Sequence, residues 1–261
     1  MNAPVPATRA APNRLDALIA SGRRLLVGYF PAGDPMIPVE MINVYAGSGV
    51  DVLEIGIKAD DPFMDGTAVS ASMARSHGRG MLEDARAAIA RLDAGRHRIA
   101  TLAFAYYNAF AAPPRGNAWR GIDGLLGLPA VAGRPDTATR SNARANGVRI
   151  AEFVPYSFGP ADVVRARNAE AYVMLQAADG KTGARDTLDP GCARRIGLLR
   201  AEGVTAPIVL GFGISRPEHA AQAIEMGADG IVVGSRCIDK CLEGAQALAD
   251  FLGGMRSRLD G

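Results

Sequence analysis

The chain has no run of about 18 consecutive apolar residues, which excludes a membrane-spanning helix. Cysteine is scarce: Cys192 stands alone and Cys237 and Cys241 are four apart, too few for a disulfide framework or a zinc site. Histidine is equally scarce, and His77, His97 and His219 show no metal-ligand spacing, so each reads as structural or solvent-facing and no metal is expected. The single tryptophan, Trp119, reads as a packing residue. Charge of one sign is also lacking. With 29 Lys and Arg against 27 Asp and Glu the formal net charge is +2, and the basic residues are scattered, which argues against nucleic acid or an anionic membrane as partner. Residues 1–12 lack the apolar core of a signal peptide and read as a disordered leader, with the cytoplasm as the default compartment.

What is present is a regular alternation. The 261 residues, 48% hydrophobic, suit one large core. Strands are expected near 25–30, 51–57, 99–105, 123–128, 149–154, 171–176, 207–211 and 230–234, with helical patterns between most of them. Strand followed by helix, repeated eight times, predicts an α/β fold with a closed parallel (β/α)8 barrel over residues 13–261; a doubly wound open sheet is the competing architecture. Residues 13–23, NRLDALIASGR, predict an extra N-terminal helix across the barrel's bottom.

Two features carry chemistry. In VDVLEIGIKADDPFMDGT the apolar, mostly β-branched run of Val52, Leu53, Ile55 and Ile57 reads as a buried parallel strand. Glu54 lies within it, and burial raises a carboxylate's pKa toward the range of a general acid or base. Asp60, Asp61 and Asp65 follow in a polar turn where a second carboxylate could face the first. Spacing alone leaves open a second reading, in which the strand-end acid pairs with a Lys or Arg.

The other feature is a pair of glycine junctions. IVLGFGIS at 208–215 runs from a strand through Gly211-Phe212-Gly213 into a helix opening at Ser215-Arg216-Pro217-Glu218, and IVVGSRCI at 231–238 runs through Gly234-Ser235 into the last helical stretch. Glycines let backbone approach an anion, and helix starts offer free N–H groups. Consecutive junctions of this kind near the end of a barrel predict a phosphate site after its seventh and eighth strands, although each alone also fits an ordinary tight turn.

The ordered segments GYFPAGDP at 28–35, LEIGIKADDPFMDG at 53–66, AYYN at 105–108, GIDGLL at 121–126, DGKTGAR at 179–185, GFGISRPE at 211–218 and GADGIVVGS at 227–235 cover nearly the whole length. Through them the chain resembles the α subunit of tryptophan synthase, a TIM-barrel lyase that cleaves indole-3-glycerol phosphate to indole and glyceraldehyde 3-phosphate. The resemblance implies that Glu54 is the general acid/base and that Asp65 holds the indole N–H. It implies phosphate binding around Gly183, Gly213, Gly234 and Ser235 with Phe212 beside it. Tyr106 would lie near the cleaved side chain, and Thr182 would contact Asp65. It implies no organic cofactor, because the protonated ring is the electron sink, and a β subunit as partner.

The chain departs from the family's pattern in several places. GIDGLLGLPAV lacks the Pro-Asp step usual at the fourth strand's exit, which predicts weak coupling to a β subunit. The preceding AFAAPPRGNAWR should hold a helix about a turn shorter than usual, opposed by Pro113, Pro114 and Gly116. Met174 stands where a Tyr is expected, Ala178 where an Arg is, and Lys58 where a Pro is common. These changes keep two alternatives open: a lyase for another phosphorylated substrate, and a non-catalytic regulatory homologue.

Overall fold

The computed structural model describes residues 12–77, 82–95, 99–110, 112–128, 137–183 and 187–261. Most of the expected leader, His97, the exit of the fourth strand from 129 to 136, and residues 184–186 lie outside them.

Eight strands form in the expected places: β1 (Leu25–Pro31), β2 (Val52–Gly56), β3 (Ala100–Tyr106), β4 (Gly124–Leu128), β5 (Arg149–Val154), β6 (Val173–Gln176), β7 (Ile208–Gly211) and β8 (Gly230–Val233). They pair in sequence order, and β1 also pairs with β8, closing a parallel barrel rather than an open sheet. Nearly every strand residue is buried, because helices cover the outside and side chains fill the inside, so the runs need no polar alternation. The helices are α1 (Arg14–Ala20), α2 (Ile42–Gly47), α3 (Thr67–Arg75), α4 (Glu83–Ala94), α5 (Thr137–Ala145), α6 (Pro160–Arg167), α7 (Gly191–Ala201), α8 (Pro217–Glu225), α9 (Ser235–Glu243) and α10 (Ala245–Asp260).

The eightfold strand–helix alternation is broken once. Among the described residues, the β3–β4 connection holds two short 3-10 turns, Tyr107–Ala109 and Gly116–Trp119, and no α-helix. Two adjacent prolines remove amide donors and a glycine weakens what remains. Trp119 fills the space: it is 3% exposed, and its Nε1 donates to the Asn142 side chain at 2.6 Å.

The extra helix is α1. Asn13 and Asp16 form a capping box at its start. The Asn13 side chain also donates to the Asp123 and Gly147 carbonyls, and Arg149 pairs with Asp16, so α1 is pinned beneath β4 and β5. At the same end Arg256 of α10 pairs with Asp51 at 2.9 Å, just before β2. The opposite end, where strands run out into loops, is left for the site. The three cysteines are buried, unpaired residues of the outer packing layer, His219 is buried and His77 exposed.

Candidate active site

Glu54 occupies the centre of β2 rather than its end, and is 1% exposed. No cation partners it among the described residues, so the ion-pair reading fails. Its partner is Tyr172, whose hydroxyl donates to Glu54 Oε1 at 2.5 Å from just before β6. Burial pushes the Glu54 carboxyl up to about 8; the Tyr172 hydrogen bond pulls it down and nearby Asp65 pushes it further up. Glu54 is therefore a neutral acid at pH 7.

Asp65 ends the loop after β2, with Gly66 capping α3. The Tyr106 hydroxyl donates to Asp65 Oδ2 at 2.8 Å, and the Thr182 hydroxyl lies 3.5 Å from Oδ1. Burial raises Asp65 to about 6, while these hydrogen bonds and the Lys181 charge oppose the rise, so this second carboxyl is ionised at pH 7. Asp60 and Asp61 are exposed and face solvent instead.

The loop carrying Asp65 is tied down at several points. The Thr182 amide donates to the Met64 carbonyl at 3.1 Å and the Gly66 amide donates to the Thr182 hydroxyl at 2.7 Å, joining the loops after β2 and β6. A Cβ at Gly66 would lie 1.9 Å from the Thr182 carbonyl oxygen, so only glycine permits this approach. Lys58, unusual for the resemblance, donates to the Ser76 carbonyl at 2.7 Å and fastens the loop's start to the end of α3.

Across the barrel mouth, Phe212 adopts a left-handed backbone with φ 69°, a strained conformation for a bulky residue, and is followed by Gly213 at φ 100°. Its ring tilts against Phe153 at 5.6 Å. Gly234 precedes α9, placing the first amides of that helix at the cleft.

Glu54, Asp65, Thr182, Gly183, Phe212, Gly213, Gly234 and Ser235 all line one cleft, whose apolar walls include Phe104, Met174 and Val232. Tyr106 is the exception. It is fully buried behind the cleft and reaches it only through Asp65, with its hydroxyl also accepting from the Met64 amide at 3.2 Å. Sequence reasoning missed Tyr172, although the period-2 alternation places it on the same inward face as Met174. It also missed Tyr29 and the buried Arg140–Glu152 pair, which lines a neighbouring pocket. No group of side chains suited to a metal occurs among the described residues.

A β/α barrel with two buried carboxyls of raised pKa, and glycines beside a helix start, around one apolar cleft defines the class of acid–base enzymes. A family model described as tryptophan synthase alpha chain matches residues 15–253. The tryptophan synthase alpha chain of Laribacter hongkongensis is 34% identical, with 95% of this chain and 97% of the relative covered. That of a Picosynechococcus strain is 29% identical over 90% and 91%. Tryptophan synthase from Mycobacterium tuberculosis superposes with a TM-score of 0.78 at 24% identity, covering 94% of this chain and 96% of the other. The chain belongs to the tryptophan synthase alpha chain family, lyases acting on indole-3-glycerol phosphate.

Proposed function

We propose that the chain cleaves indole-3-glycerol phosphate with Glu54 as the proton carrier and Asp65 as the ring's counter-charge. The observation that carries this assignment is the placing of two buried carboxyls beside one cleft, where burial pushes Glu54 further up, to about 8, than Asp65, to about 6. Neutral Glu54 donates its proton to ring carbon 3. The positive charge that develops on the ring nitrogen is held by the Asp65 carboxylate through the N–H. Glu54, now a carboxylate, takes the proton of the hydroxyl on the ring-bearing carbon. The carbon–carbon bond breaks, its electron pair restores the aromatic ring, and indole and glyceraldehyde 3-phosphate leave. Glu54 ends as it began, protonated, and the phosphate rests on amides around Gly183, Gly213, Gly234 and Ser235.

The test is indole release by the purified chain beside Glu54→Gln. Release that vanishes in the variant, with substrate still bound, supports the assignment; equal turnover refutes it. Coupling to a β subunit belongs to the same reading. Leu128-Pro129 stands where the family has a Pro-Asp step, which supports weak coupling, and a large rate increase on adding a β subunit would refute that.

A further inference from the structure

Tyr29 lies beside Glu54 in the β1–β2 register and faces the same cleft. It is 3% exposed, its ring edge-on to Phe104 at 5.8 Å. Its hydroxyl sits so close over Gly56 that a Cβ there would be 2.0 Å away, which fixes where the oxygen points. That buried hydroxyl has no hydrogen-bond partner among the described residues. A buried donor left unpaired is destabilising, so its retention asks for a group supplied from outside the protein. Burial first, and then the neighbouring Asp65, Glu54 and Asp34 carboxyls, push the phenol's pKa up, so it stays protonated and can donate.

Its place in the barrel indicates which group. β1 pairs with β2 on one side and β8 on the other. β2 supplies Glu54, and the end of β8 supplies Gly234 and Ser235. A ligand stretched from the carboxyls to the glycine cup passes Tyr29 midway. On the lyase reading above, on which this inference rests, the ring N–H faces Asp65, the hydroxyl beside the ring faces Glu54 and the phosphate faces the cup. One polar group of the substrate, the middle hydroxyl of the three-carbon chain, is then without a protein partner.

We propose that the Tyr29 hydroxyl binds this middle hydroxyl, making the cleft selective for phosphate esters that carry a hydroxyl on the carbon next to the ester carbon. Calorimetric titration of the full chain with glycerol 3-phosphate and with 3-hydroxypropyl phosphate, which differ only in that hydroxyl, tests it. The wild type should prefer glycerol 3-phosphate by about tenfold, the scale of one net hydrogen bond. Tyr29→Phe, which keeps the ring against Phe104, should bind both esters alike. Equal binding by the wild type, a preference that survives in Tyr29→Phe, or no binding of either ester overturns the proposal. Indole release assayed alongside separates the two readings. A preference without release would sink the lyase assignment and leave the Tyr29 contact standing, whereas release without a preference would sink the Tyr29 contact alone.

Discussion

Tyr172 donates its hydroxyl to Glu54 at 2.5 Å from the opposite side of the barrel, 118 positions away in the chain. A hydrogen bond to the charged form of an acid favours ionisation, so this contact moderates the upward push of burial. Activity should need Glu54 protonated and Asp65 ionised, giving a bell with limbs near 6 and 8. Tyr172→Phe should move the basic limb of kcat/KM upward by about one pH unit and leave the acidic limb in place. A basic limb that stays fixed would show that some other group sets it.

Glu54 should also make stability depend on pH. Its folded pKa, about 8, lies above the ordinary 4.5. Between those values the native state holds a proton that the unfolded chain has lost, so stability falls as pH rises through that window and is flat above it. Glu54→Gln has nothing to titrate and can still accept from Tyr172. Its melting temperature should therefore gain on the wild type from pH 5 to pH 8.5. The gain should be a few kcal/mol, roughly 10 °C for a chain of this size. Parallel melting curves across pH would mean that Glu54 is hydrated.

The strands were legible because buried parallel strands are written as unbroken apolar runs, and the cup was legible because glycines punctuate strand-to-helix junctions. Four things were not. Glu54 was read as a strand-end acid with a polar turn behind it, although the expected strand, 51–57, already centres on it, and pairing from Val52 to Gly56 leaves it central. The alternation placed Tyr172 on the inward face, but gave no sign of its role, which is set by a partner on the far side of the barrel. The left-handed backbone of Phe212 has no compositional signature, unlike that of Gly213. The connection after β3 was read as a shortened helix, whereas among its described residues, with Pro113 and Pro114 opposing helix, only 3-10 turns form.

Thr182 governs the loop through one hydroxyl, which accepts from the Gly66 amide and lies beside Asp65. Thr182→Val keeps the shape but leaves the amide unpaired and withdraws a hydrogen bond from the Asp65 carboxylate. Turnover should fall about 10- to 100-fold, on the scale of a lost buried hydrogen bond. The acidic limb should move up from about 6, since a carboxylate with fewer donors is easier to protonate. Thr182→Ser, which restores the hydroxyl, should recover both. A Val variant with a normal acidic limb would confine Thr182 to holding the loop.

The glycine cup should act on binding rather than on chemistry, because the phosphate carries the same charge before and after the bond breaks. Ser235 adds a hydroxyl at the start of α9, where the helix dipole favours an anion. Ser235→Ala should raise KM about tenfold and leave kcat nearly unchanged, as expected when an interaction is equal in ground and transition states. Gly213→Glu is harsher. It forces a side chain onto a backbone at φ 100° and sets a carboxylate where the phosphate would sit. Inorganic phosphate should then no longer protect the chain against thermal unfolding, although it protects the wild type. If the Ser235→Ala loss fell on kcat instead, the cup would have to be taking part in the proton transfers assigned to Glu54.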